Sequence, residues 1–330
     1  MLNIVRCMVK WIITHGDSDG ICSGAIALAA FKEAKLFFSH PTGLAEDLKQ
    51  VDGDVIICDI ALPAHTLDRV LQEILRINGS GHKTIYIDHH PFPPNFDPKA
   101  FRWELHHSLS ASGAEQTFST FEDRLTLDLS RVAIYGAIGD YLDRTPNIDK
   151  WLMYWDKRSL YLESGLLIQA IDSMGRNHGL KREVARYLAN NNLPSQDERL
   201  VRRAIAEAIR DEEMRNQVKE VVKAVGEVAY VLDLDWSLSK SAISSKALTG
   251  ALVGIGAETR REFIDMSLRT HSERLDLNRM VIAITEKMGG SGGGHPKAAG
   301  ARVPREKFQL FVEELNRLIS EALKEPTVEY

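Results

Sequence analysis

The sequence predicts an α/β protein with two domains, the first built on a mainly parallel sheet and the second a smaller α/β unit. In the first half of the chain, short β-branched runs alternate with amphipathic segments of helix length, which is the pattern of βαβ units. The chain has 330 residues, and at roughly 100–200 residues per domain this length favours two domains. A content of 44% hydrophobic and 26% charged residues is typical of globular proteins and excludes the disordered and fibrous classes.

The N-terminal domain, which we assign to residues 1–190, is predicted to begin with four strands and two helices and to continue with helices over 131–143, 151–155 and 160–173. The strands are expected at Val9–Thr14, near Phe38, and over residues 55–58 and 84–87; the helices are expected over 23–35 and 64–78. After a proline-rich loop, residues 111–190 have mainly helical spacing of apolar residues. Ligands of open α/β sheets bind beyond the carboxyl ends of the strands, so functional residues are expected at that edge.

A polar segment at residues 190–195 is the clearest break in the chain. The run 198–225 mixes Arg, Glu and apolar residues at helical spacing, so a helical linker is predicted over residues 191–225. Strands over 228–232, 251–255 and 263–268, with helices over 276–287 and 308–322, then predict a smaller C-terminal α/β domain over residues 226–330.

Charge and cysteine content exclude several classes of protein. A formal net charge of -5 excludes general electrostatic binding of nucleic acid by the whole molecule, so any such site must be a local patch. Cys7, Cys22 and Cys58 lack C-x-x-C spacing and are expected to be reduced thiols. No apolar stretch approaches the ~20 residues of a membrane span, and no leader pattern is present. We therefore expect a cytoplasmic location and no membrane partner.

Acidic and histidine side chains follow the predicted strands at the points where those strands end. They are His15, Asp17 and Asp19 after the first strand, Asp59 after the third, Asp88, His89 and His90 after the fourth, and Asp140 on a later helix. In a parallel sheet these positions converge, and two carboxylates ~4 Å apart repel by about 4 kcal/mol at an effective dielectric of 20. Helix capping explains each aspartate taken singly but not the histidines.

Divalent cations are the simplest way to hold these charges together. Asp oxygens and His nitrogens suit Mn²⁺ or Mg²⁺, and the absence of cysteine from the cluster argues against a structural zinc site. Two ions roughly 3.5–4 Å apart, sharing one carboxylate, are suited to phosphoester hydrolysis.

A glycine-rich segment at residues 289–300 is the second candidate site. Its glycines allow backbone N–H groups to approach a phosphate, and His295 adds a side-chain donor. The alternative is a flexible linker, but the flanking apolar, strand-like residues favour a phosphate cradle. The segment lacks the Gly-Lys-Ser/Thr ending of a P-loop.

Together these motifs resemble those of the DHH phosphoesterase superfamily. The His15-x-Asp17-x-Asp19-Gly20 run, Asp59, Asp88-His89-His90 and Asp140 are similar to its four successive motifs. The glycines before His295 are similar to the GGGH signature of the DHH-associated C-terminal domain. The resemblance covers almost the whole chain and is to RecJ-like exonucleases and the smaller nanoRNase and phosphoadenosine-phosphate phosphatase branch. It implies two Mn²⁺ ions, with Mg²⁺ as an alternative, and an active site in the interdomain cleft.

The resemblance also implies a role for each matching residue. One ion would be held by His15, Asp17 and Asp59; the other would be held by Asp19, Asp59, His89 and Asp140, with Asp59 as the bridge. Asp88 would orient a histidine ligand, and His90 would face the scissile phosphate. Residues that would grip the substrate are His295, Gly292, Gly293, Gly294 and Arg269.

Further candidates have structural alternatives of equal or greater weight. Ser110 and Ser112 belong to a small-residue loop that either donates to a phosphate or caps a helix. His106 and His107 are expected to be structural rather than metal ligands. Trp151, Tyr154 and Trp155 either stack on bases or, as we favour, form a packed helix face.

Three functions remain open from the sequence. The first is an exonuclease that degrades single-stranded DNA or RNA to mononucleotides, with 3′→5′ as the expected polarity. The second is a phosphodiesterase of very short oligonucleotides or of phosphoadenosine phosphate, and the third is a non-catalytic scaffold. The resemblance suggests a replication or repair helicase as partner, and a homodimer is a further expectation. Bacterial RecJ enzymes carry an extra nucleic-acid-binding domain for which 330 residues leave no room.

Overall fold

The structure is a computed structural model that describes residues 9–93, 96–100 and 103–324. The chain divides between Ala208 and Ile209 into two compact units, which we describe separately. The α/β fold class predicted from the sequence is confirmed, with a parallel sheet in the first unit and a mixed sheet in the second.

The first unit contains five strands and eight complete helices among its described residues. The strands are β1 (Val9–Thr14), β2 (Lys35–Phe38), β3 (Asp54–Cys58), β4 (Thr84–Asp88) and β5 (Glu104–His107). The helices are α1 (Ser18–Ala30), α2 (Leu44–Leu48), α3 (Ala64–Gly79), α4 (Gly113–Thr120), α5 (Ser130–Gly139), α6 (Pro146–Leu152), α7 (Lys157–Ser173) and α8 (His178–Ala189).

All five strands are parallel, in the order β2-β1-β3-β4-β5. Helices cover both faces of this sheet. Ile12 and Ile56 pack on one face with residues of α1, α4, α5 and α7, whereas Ile13 and Ile57 pack on the other with α2 and α3. A strand buried on both faces is rich in apolar residues, which is why β1 and β3 can be recognised in the sequence.

Helix α9 (Glu198–Val221) contains the division between the units. The second unit continues with strands β6 (Lys223–Val225), β7 (Val228–Leu232), β8 (Val253–Arg260), β9 (Phe263–Thr270), β10 (Ser291–Gly294) and β11 (Ala298–Pro304). Its further helices are α10 (Leu238–Thr249), α11 (Leu277–Met288) and α12 (Phe308–Lys324). The sheet order is β10-β11-β9-β8-β7-β6, and only the β7–β8 pair is parallel among these described strands. Its core lies against α11 and α12.

Several element boundaries differ from the sequence expectations. Helix α1 begins at Ser18 rather than residue 23, because the Asp17 carboxylate caps it by accepting from the amide of Gly20. Strands β5 and β11 and helix α10 were not predicted. The glycine-rich segment contains a strand that was not predicted, since residues 291–294 form β10, which pairs with β11. The charged helix ends at Val221, four residues before its predicted end, because strand β6 follows.

Two remaining expectations concern the thiols and the membrane. Cys22 and Cys58 are buried free thiols, whereas Cys7 lies outside the described residues. Among the described helices, none is both long enough and apolar enough to cross a membrane.

Candidate metal centre

The order of the parallel sheet brings the motif residues to one edge. Strands β1, β3 and β4 are neighbours, and their C-terminal ends are in register, with Thr14 beside Cys58 and Cys58 beside Ile87, the residue before the end of β4. The residues that follow each strand therefore meet at the carboxyl edge of the sheet.

Three carboxylates surround the imidazole of His89. Its Nε2 atom lies 3.2 Å from Asp59 Oδ1, 3.2 Å from Asp140 Oδ2 and 3.8 Å from Asp19 Oδ2. His89, Asp19 and Asp59 are buried, and one ligand atom from each of the four residues lies within 4.8 Å of the others. These are the four residues that the resemblance assigns to one ion.

A second group of three shares Asp59 with the first. His15 Nδ1 lies 2.7 Å from Asp17 Oδ2, and ligand atoms of His15, Asp17 and Asp59 lie within 4.8 Å of one another. Asp17 also caps helix α1. It therefore makes both the capping interaction considered as an alternative and the contact with His15. Asp59 is thus the residue common to both predicted ion sites.

Burial and mutual repulsion strongly perturb these carboxylates. Burial first, and then the charges of Asp17 and Asp19, raise the pKa of Asp59 well above its ordinary value. Burial and the neighbouring Asp140 likewise raise the pKa of Asp19 to about 7. Burial alone would lower the pKa of His89, but its contacts with Asp140 and Asp59 raise it to about 12. Without a cation, the cluster therefore retains protons near neutral pH.

Asp59 provides the observation that fits a metal ion. It is only 1% exposed, and neither of its carboxylate oxygens accepts a hydrogen bond from the described residues. Its backbone has a φ of +54°, a left-handed conformation that is uncommon outside glycine and is tolerated by Asp and Asn. A buried carboxylate requires a hydrogen-bond donor, a counter-charge or a metal. The counter-charge nearest to Asp59 is the His89 imidazole, 3.2 Å from Oδ1, and Asp19 and Asp140 share it. One imidazolium does not balance three carboxylates, and oxygen and imidazole donors suit Mn²⁺ or Mg²⁺.

Helices α4 and α5 also contact the carboxylate of Asp19. The amides of Gly113 and Ala114 donate to its two carboxylate oxygens at 2.6 and 3.0 Å, so Asp19 accepts from the first turn of α4. A Cβ atom at Gly136 would lie 2.5 Å from Asp19 Oδ1. Glycine at this position is therefore what lets α5 approach the carboxylate.

The side-chain contact of Asp88 differs from the one that the resemblance implies for it. Asp88 Oδ1 lies 2.8 Å from Nδ1 of His90, so Asp88 orients the histidine expected to face the phosphate rather than one of the predicted ligands. Burial alone would raise the pKa of Asp88, but His90 holds it below its ordinary value. Because the carboxylate is an acceptor, Nδ1 of His90 carries the hydrogen.

Two side chains that we had not assigned to the site hold this loop. His107 Nε2 donates to the carbonyl oxygen of His90 at 2.7 Å. Gln116 Nε2 lies 3.1 Å from the carbonyl oxygen of Asp88 and contacts those of Ser108 and Ala111. The sequence analysis considered His107 as a structural residue but did not predict its contact with His90. Nothing in the sequence indicated a role for Gln116.

A third unpredicted residue supports the first motif. Lys181 on α8 is buried and donates from Nζ to the carbonyl oxygen of Gly16 at 2.5 Å. Burial lowers the pKa of this lysine, which the Asp17 charge partly offsets. A lysine in an amphipathic helix normally lies on the solvated face, so sequence periodicity gave no sign of this contact.

Most residues of the serine loop and of the aromatic helix face make structural contacts. Ser112 is buried and caps α4, its Oγ accepting from the amide of Glu115, whereas Ser110 is exposed. Substrate contact by either serine stays a prediction. Trp151 is buried edge-on against Phe118, with ring centroids 4.9 Å apart. Trp155 is partly buried, with the Arg131 guanidinium 5.5 Å from its ring, whereas Tyr154 is exposed.

In the second unit, the predicted substrate residues lie at one end of the sheet. His295 follows β10 and begins the turn into β11, and Arg269 on β9 pairs with Ala298 on β11. Asn278 on α11 accepts from the amide of Gly294 at 2.9 Å and so holds the glycine strand. The sequence had not indicated this asparagine.

Comparison with known families agrees with these motifs. The DHH family N-terminal domain matches residues 11–138, and the DHHA1 domain matches residues 213–321. The chain belongs to the DHH phosphoesterase superfamily. No curated protein sequence matches it.

Solved structures with a similar fold have low sequence identity to this chain. A pGpG-specific phosphodiesterase from Vibrio cholerae has a TM-score of 0.59 at 14% identity, over 95% of this chain and 99% of that one. A RecJ structure in complex with Mn²⁺ from Thermus thermophilus has a TM-score of 0.65 at 16% identity. The similarity covers 97% of this chain and 53% of the RecJ chain. An exonuclease RecJ bound to manganese has a TM-score of 0.58 at 15% identity, over 97% and 91% of the two chains. This chain is thus similar in length to the first and about half the length of the second.

Proposed function

We propose that this protein is a metal-dependent exonuclease that removes mononucleotides from single-stranded DNA or RNA, with 3′→5′ polarity. The observation that supports it most directly is Asp59, a buried carboxylate without hydrogen bonds from the described residues and common to two groups of potential ligands. The solved RecJ structures with manganese support the choice of Mn²⁺, with Mg²⁺ as an alternative.

In this proposal each group of ligands holds one cation. His15, Asp17 and Asp59 would bind the first, and Asp19, Asp59, His89 and Asp140 would bind the second. When bound, the two ions would polarise the phosphoryl oxygen and supply hydroxide at neutral pH.

The remaining residues would bind substrate and move a proton. With Nδ1 of His90 donating to Asp88, Nε2 is the atom that would exchange a proton with a phosphate oxygen. In the second domain, His295, the amides of residues 292–294 and Arg269 would bind a neighbouring phosphate of the terminal nucleotide. Several further expectations stay predictions. They are an active site in the cleft between the domains, the domain ranges 1–190, 191–225 and 226–330, the cytoplasmic location, the helicase partner and the homodimer.

A second function is supported by one of the structural similarities. The chain covers 99% of a pGpG-specific phosphodiesterase structure, at a TM-score of 0.59. A phosphodiesterase of very short oligonucleotides or of phosphoadenosine phosphate is therefore the alternative.

One assay separates these functions. Purified protein is incubated with Mn²⁺, Mg²⁺ or EDTA and with DNA and RNA oligomers of two to about twenty nucleotides, labelled at either end, and with phosphoadenosine phosphate. An exonuclease hydrolyses the long oligomers and releases mononucleotide first from the 3′ end, whereas the alternative enzyme acts only on the shortest substrates. Release of mononucleotide first from the 5′ end would overturn the predicted 3′→5′ polarity but not the exonuclease activity.

Matched variants test whether the activity belongs to the candidate site. Asp59→Asn should abolish hydrolysis, whereas Asp68→Asn, on the exposed face of α3, should leave it unchanged. If the wild-type protein binds Mn²⁺ but hydrolyses none of these substrates, the result would favour the scaffold alternative.

A further inference from the structure

The backbone turns at Asp59, the carboxylate common to both groups of potential ligands. This residue follows strand β3, and its φ of +54° lies in the left-handed region, which residues other than glycine enter at a cost that Asp tolerates better than most. No hydrogen bond from the described residues anchors either of its carboxylate oxygens. The position of this carboxylate in the metal-free protein therefore depends on what holds its backbone.

Two hydrogen bonds hold the backbone on the two sides of this turn. Before it, the amide of Asp59 donates to the carbonyl oxygen of Ile87 at 2.8 Å, which continues the pairing of β3 with β4. After it, the hydroxyl of Tyr86 donates to the carbonyl oxygen of Ile60 at 2.5 Å. The second bond is the one of the two that depends on a side chain, so it is the one that a substitution can remove.

The ring of Tyr86 is fixed where its hydroxyl can reach this carbonyl. Tyr86 is fully buried in strand β4 and pairs across the sheet with Ile57, two residues before Asp59. Its ring packs against that of Trp103, with centroids 5.2 Å apart. Burial, and then the charge of Asp88, hold the pKa of the hydroxyl well above its ordinary value, so the hydroxyl stays protonated and remains a donor.

Packing accounts for the ring of Tyr86 but not for its hydroxyl. A phenylalanine ring would occupy the same space in the apolar core around Ile13 and Ile57, without a polar group that must find a partner. The hydroxyl reaches from β4 to the segment after β3 and contacts it one residue beyond the candidate bridging ligand. Its hydrogen bond therefore acts on the conformation of Asp59.

We propose that Tyr86 is a positioning residue for Asp59, because its hydrogen bond to Ile60 keeps the turn in the left-handed conformation before any cation binds. This inference rests on the metal centre of the proposed function and deepens it. Without the bond the backbone would relax, and a cation would have to restore the strained conformation as it binds, which lowers its affinity. Since Asp59 belongs to both groups of potential ligands, the affinities for both cations should fall together.

The test removes one oxygen atom and keeps the ring. Tyr86→Phe and the wild type are freed of metal with EDTA, dialysed and titrated with Mn²⁺, and electron paramagnetic resonance measures the free ion. We expect both proteins to bind two ions, the variant with about fivefold lower affinity for each, because strain in one left-handed residue changes a population by at least about this factor. At saturating Mn²⁺ the variant should recover the kcat of the wild type, since the bound ions restore the conformation.

Tyr187→Phe is the matched control. The hydroxyl of Tyr187 on α8 also donates to a backbone carbonyl, that of Leu193 at 3.2 Å, so both variants lose one hydrogen bond of the same kind and keep an aromatic ring. Tyr187→Phe should bind both ions as the wild type does. Thermal unfolding gives a second measurement: the increase in Tm produced by a fixed, low concentration of Mn²⁺ should be smaller in Tyr86→Phe than in the wild type, and unchanged in Tyr187→Phe.

The outcomes separate this inference from the proposed function. If Tyr86→Phe binds both ions as tightly as the wild type, or loses affinity for one of them alone, positioning by Tyr86 is overturned while the metal centre stands. An equal loss of affinity in Tyr187→Phe would likewise overturn it, by showing a general effect of stability. If the wild type binds no Mn²⁺, the metal centre and the proposed function fail, and the inference fails with them.

Discussion

The imidazole of His107 holds the backbone of His90 in place, its Nε2 donating to the His90 carbonyl oxygen at 2.7 Å. The His107 ring is itself held by Phe92, with ring centroids 4.1 Å apart and an interplanar angle of 23°. His107 ends strand β5 and pairs there with Asp88. Two adjacent strands therefore cooperate to orient His90, one through the carboxylate of Asp88 and the other through this backbone contact.

Loss of this hydrogen bond should slow the reaction without weakening substrate binding. His107→Phe keeps a ring that can stack on Phe92 but cannot donate, so we expect kcat to fall about tenfold with KM unchanged. His107→Gln places an amide donor at a similar distance and should restore most of the rate. Steady-state kinetics with Mn²⁺ measures both parameters.

The neighbouring histidine supplies the control for this experiment. His106 contacts Glu104 at the surface, so His106→Phe should leave kcat unchanged. Equal rates for His107→Phe and His107→Gln would show that the hydrogen bond to His90 does not contribute.

Close approach of α5 to Asp19 predicts a strong effect of one added methyl group. In Gly136→Ala the new Cβ would lie 2.5 Å from Asp19 Oδ1 and 2.6 Å from Ala114 Cβ. We expect a loss of about 1–3 kcal/mol in the free energy of unfolding, because both neighbours are held in a packed core. Mn²⁺ affinity should fall as well, since Asp19 must move.

Gly165 in α7 is the matched control, because a Cβ there meets nothing within 4 Å. Gly165→Ala should stabilise the protein by up to about 1 kcal/mol, since alanine favours the helix, and should leave Mn²⁺ affinity unchanged. Denaturant titration and metal titration of both variants measure these effects. If Gly136→Ala is as stable as Gly165→Ala, α5 does not approach Asp19 as described.

The sequence revealed those parts of the fold and site that carry a local signal. Strand β1 was predicted with its observed boundaries, because a strand covered by helices on both faces is rich in apolar residues, here Val9 and Trp11–Ile13. Most of the residues that converge at the centre were predicted because Asp and His follow such strands, whereas Asp140 follows helix α5. Strand β5 lacked that signal, since its four residues include Glu104 and two histidines.

Contacts that depend on distant parts of the chain left no pattern in the sequence. Gln116 reaches the carbonyl of Asp88, 28 residues away in the chain, and Lys181 reaches that of Gly16, 165 residues away. Nothing about either residue type indicates a backbone carbonyl as its partner. Strand β10 was missed for a different reason, since four residues that include three glycines have no strand propensity and are held there by pairing with β11.

Asp59→Asn should affect stability in opposite directions with and without metal. Asn keeps the shape of the side chain and tolerates the left-handed backbone, so the variant changes mainly the charge. Without metal, Tm should rise by a few degrees, because a buried carboxylate is removed from among Asp17 and Asp19. With Mn²⁺, the increase in Tm seen for the wild type should be lost.

Thermal unfolding in EDTA and in a series of Mn²⁺ concentrations measures both effects. Asp68→Asn, which changes an exposed carboxylate, should resemble the wild type in both conditions. An undiminished Mn²⁺ response in Asp59→Asn would contradict the bridging role.

The raised pKa of Asp19 predicts how stability depends on pH in the absence of metal. Burial, and then the neighbouring Asp140, raise this pKa to about 7 from an ordinary value of 3.8. Between these two values the folded protein retains a proton that the unfolded chain has released. The free energy of unfolding therefore receives its full contribution from Asp19 below about pH 4 and loses it as the pH rises towards 7.

Thermal unfolding in EDTA between pH 5 and 8 should show this loss as a Tm that falls with rising pH. Asp19→Asn has no titrating group at this position, so its Tm should fall less steeply over the same interval. Because a divalent cation binds the deprotonated carboxylates and competes with their protons, the increase in Tm produced by Mn²⁺ should be larger at pH 7.5 than at pH 5 in the wild type. Parallel pH profiles for the wild type and Asp19→Asn would show that Asp19 does not retain its proton in the metal-free cluster.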